Sequence, residues 1–384
     1  MSGIGDARKE FPTFKEFIYV DVAGRNPLSD RVRAAIDGYL DQRQRGEDRK
    51  QEWLDHVEKV RAKVATLLHA SADEVAFVKN TSDGINSVIA CLDWQPGDNV
   101  IIAPDFEHPN NVYAWLNLRR LGVEVRTLTL SGPVVTKSMI VEACDTRTKA
   151  VGIASVSFAT GGRADISGIG EFCRQRGIFL MVDAVQSLGV FEFDVGKAPV
   201  SALASATSKG LLGLYGLGVL YCRRELAEKM HPRYLARYSV DLGDSHEEVL
   251  GDFSYNLAAG AKRFEIGNFN YLAIHALDAA LDHILEAGVP NIQEHVLALS
   301  GALTKGIAAL GYRLRSSQDP AAMSNIVLFT PPPAGAAVQK LSGYLNEHKV
   351  RHSVRRGAVR MSFHLYNNME DVEYILSVLK NARF

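Results

Sequence analysis

From Glu74 to Tyr221 the chain keeps one rhythm. Short, mostly apolar runs (Val75–Val78, Val100–Ala103, Val123–Leu128, Ala150–Ser155, Ile178–Val182 and Val219–Tyr221) alternate with helix-like stretches. Such runs suit strands buried on both faces, and their alternation with helices predicts an α/β domain on a mainly parallel sheet. Before it, residues 27–67 read as helical and charged, and the Gln42–Lys50 run is the solvated face of a helix. After Tyr221 the pattern changes. Helices are predicted over Leu272–Glu286 and Ile292–Leu310, separated by Gly288-Val289-Pro290, then a strand over Asn325–Thr330 and a turn at Pro331–Pro333. A helix, two short strands near Val350–Val354 and Ala358–Phe363, and a last helix from Met369 complete a smaller α+β domain. The expected boundaries are a 1–25 segment packing with the small domain, a large domain over 26–265 and a small one over 266–384.

Composition narrows the function classes. Of 384 residues 47% are hydrophobic and 23% charged, the balance of a globular protein. Lys and Arg total 43 against 44 for Asp and Glu, so no global field draws the chain to nucleic acid or a membrane. The four cysteines (Cys91, Cys144, Cys173, Cys222) are scattered, which argues against a zinc site or a disulfide framework. The start, MSGIGDARKEFPTF, lacks the apolar stretch of a signal peptide, and no run approaches a membrane span, so a cytoplasmic enzyme is expected.

Four segments carry candidate chemistry. Asp183 follows the run Ile178–Val182, at a strand end where open α/β sheets collect ligands; a helix cap or turn would also explain it. Lys209, in Ser205-Ala206-Thr207-Ser208-Lys209, precedes Gly210, Gly213, Gly216 and Gly218. A lysine among small hydroxyl residues and a flexible loop suits an imine with a carbonyl cofactor, whereas a surface lysine is the plainer reading of any one taken singly. Together the two residues match pyridoxal phosphate chemistry, with Lys for the Schiff base and Asp to keep the pyridine nitrogen protonated. Asn80-Thr81-Ser82-Asp83-Gly84 opens a helix after Val75–Val78, which serves either capping or phosphate binding. His108, in Glu107-His108-Pro109-Asn110-Asn111, follows a further strand and can stack on a ring or carry protons.

The ordered set TSDG, EHPNN, VDAVQS, TSKGLLG and RFEIGN resembles the class V aminotransferase group of fold-type I pyridoxal phosphate enzymes, and the likeness runs from about Tyr19 to the C-terminus. It implies a large domain with a mainly parallel seven-stranded sheet and a smaller α+β C-terminal domain. It further implies that Lys209 holds the cofactor as a Schiff base, Asp183 pairs with the pyridinium, Gln186 donates to the phenolic oxygen and His108 stacks on the ring. Thr81, Ser82 and Ser208 would bind the phosphate. Asn268 would reach the phosphate of a neighbouring subunit, which implies a homodimer with shared active sites. Arg360, with Arg355 as a second choice, would bind the carboxylate of an amino-acid substrate, while Arg25, Asn26, Tyr215 and His352 are candidate wall residues.

Three departures bear on the reaction. No cysteine follows Cys222, and the stretch from Val354 to Arg360 is too short for the nucleophile loop of a desulfurase. Phe158 stands where many relatives have an Asn beside the cofactor, and Leu214 where many have a Pro. The expectation is a lyase of the C–S lyase kind working by β-elimination without persulfide chemistry, with epimerisation or racemisation and transamination as alternatives. A non-catalytic cofactor-binding protein is a third reading, and the absence of a dinucleotide fingerprint argues against a nicotinamide enzyme.

Overall fold

The computed structural model describes Ile4 and residues 7–47, 49–241, 254–332 and 336–383. The strands in chain order are β1 (Ile18–Tyr19), β2 (Val75–Val78), β3 (Asn99–Ile102), β4 (Glu124–Thr127), β5 (Thr148–Ala154), β6 (Phe179–Asp183), β7 (Ala202–Ala206) and β8 (Gly218–Cys222). After them come β9 (Val240–Asp241), β10 (Asn256–Leu257), β11 (Arg313–Leu314), β12 (Ile326–Thr330), β13 (Val350–Arg351), β14 (Ser353–Arg355) and β15 (Ala358–Ser362).

Seven strands form the main sheet in the order β2-β8-β7-β6-β5-β3-β4. Six run parallel; β8 alone is antiparallel to both its neighbours, β2 and β7. This is the α/β architecture expected from the apolar rhythm. Side chains alternate between two packed layers, as the two-residue period of a strand requires. Val75, Phe77, Val151, Leu180, Val182 and Leu203 face the helices Lys50–Leu68, Ile166–Gln175 and Tyr271–Ala287. Ala76, Val78, Val100, Met181, Ala204 and Leu220 face the helices Thr81–Ile89 and Pro109–Leu116. With both faces covered, the strands read as continuous apolar runs.

Some elements differ from expectation. The strand β7 lies outside the predicted runs, because Ala-Leu-Ala-Ser-Ala lacks the β-branched residues that mark a strand. The helical stretch 27–67 is two helices, Asp30–Arg45 and Lys50–Leu68, the first ended by Gly46 in the left-handed region at φ 65°. The helices predicted over Leu272–Glu286 and Ile292–Leu310 extend over Tyr271–Ala287 and Val289–Ala309, with only Gly288 between them. Of the predicted turn Pro331–Pro333, Pro333 lies outside the described residues.

A second, antiparallel sheet has the order β11-β12-β15-β14. The N-terminal segment joins this part of the molecule: β1 pairs in parallel with β13, and Asp21 bridges Ser362. Among the described residues no helix is long and apolar enough to cross a membrane.

Candidate active site

Five strands of the main sheet deliver side chains to one cavity of about 360 Å³ beyond their carboxyl ends. From β2 come Asn80, Thr81 and Ser82; from β3, His108; from β5, Phe158; from β6, Asp183 and Gln186; from β7, Ser208 and Lys209. Arg355 and Arg360, on β14 and β15, close it from the small sheet.

One end of the cavity is a helix start. Asn80 caps the Thr81–Ile89 helix by accepting from the Asp83 N–H at 2.9 Å, while Asp83 in turn accepts from the Lys79 N–H. The N–H groups of Thr81 and Ser82 lead into the helix with no acceptor among the described residues, and the Thr81, Ser82 and Ser208 hydroxyls have no hydrogen-bond partner there either. Unspent donors at the positive end of a helix dipole are what a phosphate needs.

At the other end lies the charged pair. Asp183 is 8% exposed and accepts from the Val185 N–H at 2.9 Å. Burial raises its pKa, and the charge of Lys209 opposes that rise. Lys209 has no hydrogen-bond or ion-pair partner among the described residues, so its amine is held at the cavity wall unused. Burial, reinforced by Arg360 and Arg355 and opposed by Asp183, pushes its pKa down to about 8. The turn that carries it is tight: a Cβ on Gly210 would sit 2.4 Å from the Leu188 carbonyl oxygen, and Leu212 takes a left-handed φ of 57°.

Two long-range hydrogen bonds fix this turn. The Asn26 N–H donates to the Ser208 carbonyl at 3.1 Å, and His364 Nε2 to the Gly210 carbonyl at 2.9 Å. The fully buried His364, its pKa driven down to about 4 by burial, is a neutral donor at physiological pH. The neutral fraction of Lys209 therefore rises as pH rises through about 8, well below the ordinary lysine value of about 10.4. Amine labelling of the cofactor-free protein by an acylating reagent, read at Lys209 by peptide mass spectrometry, is expected to show its midpoint there. A midpoint near that of surface lysines would contradict this electrostatic picture.

His108 stands at the mouth, edge-on to Phe158 with ring centres 5.0 Å apart. Partial burial, together with Lys209, Arg355 and Arg360, lowers its pKa. Gln186 is buried and gives one amide N–H to the Ala23 carbonyl at 3.0 Å, leaving the other for a ligand. The Arg360 side chain is 1% exposed. It donates to Ser353 Oγ at 3.0 Å, to the Phe158 carbonyl at 3.2 Å and to Asp21 at 3.3 Å, which leaves two of its five N–H groups free. Asn268 does not reach this cavity. It lines a separate one of about 340 Å³ beside Lys79 and Gly216, and accepts from Tyr238 at 3.5 Å. Of the candidate wall residues, Tyr215 lines this cavity, Arg25 and His352 line one adjoining it, and Asn26 acts through its backbone.

Glu107, to which the sequence motifs assign no role, is buried beside the site. It accepts from the Ala154 N–H and from Asn111, which in turn accepts from Trp115 at 3.2 Å. Burial and the neighbouring Asp183 push its pKa up to about 8. A larger cavity of about 810 Å³ lies on the far side of Val156, around Arg163 and Phe191. Its acids and bases are nearly balanced (Lys137, Arg163 and Lys197 against Asp165, Glu192, Asp194 and Asp319), and Lys197 is paired with Asp194 at 3.1 Å.

Three comparisons place the chain among known proteins. A family model described as aminotransferase class-V matches residues 18–375. A probable cysteine desulfurase of Methanothermobacter thermautotrophicus is 29% identical over 98% of this chain and 97% of its own length. An uncharacterised protein of Schizosaccharomyces pombe is 30% identical over 95% of this chain and 83% of its own. Among solved structures, an apo cysteine desulfurase from Thermococcus onnurineus NA1 superposes with a TM-score of 0.87 at 26% identity, covering 98% of this chain and 97% of that one.

Proposed function

Since the chain belongs to the class V aminotransferase family of pyridoxal 5′-phosphate enzymes, we propose that it is a lyase that removes a group from Cβ of an amino acid without forming a persulfide. One observation carries this reading: an unpartnered lysine amine faces a buried carboxylate in a cavity whose described lining contains no thiol. All four cysteines lie elsewhere, and burial pushes Cys173 and Cys222 up to about 12. A thiol in that state is a poor nucleophile.

The residues present fit the cofactor. Thr81, Ser82 and Ser208 with the first helical N–H groups would hold its phosphate, His108 would lie against the ring, and the free Gln186 N–H would meet the phenolic oxygen. When bound, the cofactor supplies an electron sink for charge left at Cα. Asp183, kept from water, holds a proton at the pyridine nitrogen. Arg360 holds the substrate carboxylate with its two unspent N–H groups. Lys209 Nζ takes the proton from Cα and returns it to the departing group at Cβ, a transfer suited to an amine whose pKa lies near the working pH. Asn268, outside its own cofactor cavity, would serve a second subunit, and Ile266, 49% exposed two residues earlier, supports such a contact.

The purified protein, twice the chain's mass in solution, is expected to be yellow and to lose its visible band on borohydride reduction. Incubated with amino acids in deuterated water, it should release ammonia and a 2-oxo acid. Cα exchange with inversion and no release would mean an epimerase. A 2-oxo acid formed stoichiometrically with the pyridoxamine form would mean a transaminase. A colourless protein that takes up no cofactor would end the proposal.

A further inference from the structure

The site continues past Arg360 into a second cavity of about 270 Å³. The two share Gly24, Tyr215 and Arg355, so they adjoin. Three arginines line the second one, Arg25, Arg351 and Arg355, together with His352, and Asp21 is its only carboxylate among the described residues. That carboxylate is already engaged: Asp21 accepts from Ser353 Oγ at 2.7 Å and pairs with Arg360 at 3.3 Å. One acid matched to one buried arginine leaves the three cavity arginines without a counter-charge from within the cavity.

Arg351 is partly committed, its guanidinium lying 4.1 Å from the centre of the Phe17 ring, so it contributes field more than contact. Arg355 is different. Half-buried at the junction of the two cavities, it makes one hydrogen bond, at 2.9 Å to the carbonyl of Val354, and has no acidic partner among the described residues. A planar guanidinium with free donors binds an oxyanion in bidentate fashion. Cations crowded in a recess also draw anions from solution.

We propose that the substrate is an amino acid whose Cβ leaving group itself carries an oxyanion, such as a carboxylate or sulfonate, held by Arg355 with Arg25 while Arg360 takes the α-carboxylate. This assignment rests on the cofactor-dependent reading above. It narrows the substrate class to amino acids with an acidic group on the departing β-substituent, and divides the two arginines of the small sheet by task. Arg360, locked by Ser353, Asp21 and the Phe158 carbonyl, serves what every α-amino acid has in common. Arg355, free at the junction, serves what distinguishes this substrate.

The test is a spectral titration of the holoenzyme, following the visible band as L-aspartate or L-glutamate, which carry the oxyanion but no Cβ leaving group, is added, against asparagine, glutamine and alanine. The best anionic ligand is expected to bind more tightly than its amide or neutral isostere by about tenfold or more, as for a charge-assisted contact partly shielded from water. Arg355→Gln should bring that ratio close to one, and Arg355→Lys should keep part of it. The preference should also weaken as salt is added. Equal binding of aspartate and asparagine by the wild type would overturn the proposal. So would an Arg355→Gln protein weakened equally toward both, since Arg355 would then be holding the α-carboxylate. A protein with no visible band fails at the earlier step and points to the cofactor reading instead.

Discussion

Lys209→Ala is expected to abolish the borohydride-reducible band and to lower turnover by about 10²–10⁴-fold, the usual contribution of a positioned proton carrier, over and above loss of the covalent link. The amine at the cavity wall has no other task, since it makes no hydrogen bond or ion pair with any described residue. Its removal should therefore leave the fold intact. Removing it also takes away the one cation that opposes the rise in the Asp183 pKa, so that carboxyl should take up a proton more readily in the variant. Lys209→Arg separates the two effects: it returns a charge near Asp183 without a nucleophilic amine, and should stay inactive. Rate assays with peptide mapping of the reduced holoenzyme decide the matter. A variant that retains turnover and a reducible band would show that another lysine carries the chemistry.

The largest expected effect on stability lies outside the site. Arg61 is buried with its guanidinium fully spent: it donates to Glu265 at 2.6 and 3.2 Å, to the Val75 carbonyl at 2.9 Å and to Glu58 at 3.0 and 3.2 Å. Glu265 also accepts from the Phe77 N–H at 2.7 Å, so this group pins the 264–268 segment to the edge strand of the main sheet. Replacing one partner strands the other charge away from water, at about 3–5 kcal/mol. Arg61→Met should accordingly shift the urea midpoint far downward. The double variant Arg61→Met/Glu265→Gln should recover part of the loss, because the uncompensated carboxylate carries most of the penalty. If the double variant were less stable than the single one, the stranded Glu265 carboxylate would not be the source of the loss.

How much of this was legible in the residues follows from the range over which each signal acts. Asp183, Lys209, Thr81 and His108 stand at or just after strand ends, and local apolar runs mark strand ends well; the structure collects all four in one cavity. The strand leading to Lys209 was not legible, because Ala202–Ala206 is a strand by virtue of its neighbours β6 and β8 and not by propensity. Contacts across the chain left no trace either. Asp21 meets Arg360 across 339 positions and His364 meets Gly210 across 154. Glu107 could have been suspected, since a carboxylate beside His108, just after the apolar run Val100–Ala103, needs partners if it is buried. Its partners, Asn111 one helical turn on and the Ala154 N–H from β5, are set by the fold.

The two hydrogen bonds that fix the Lys209 turn also order events during synthesis. One comes from residue 26 and the other from residue 364, and Arg360, which lines the cavity, lies close to the second. The large sheet can be complete once β8 has been made, about 140 residues before His364 appears. Until the last tenth of the chain has left the ribosome, however, the Lys209 turn holds only the first of its two bonds, and the cleft lacks Arg355 and Arg360. A chain truncated there would thus have its main sheet but an unfinished cavity, closed only when translation ends.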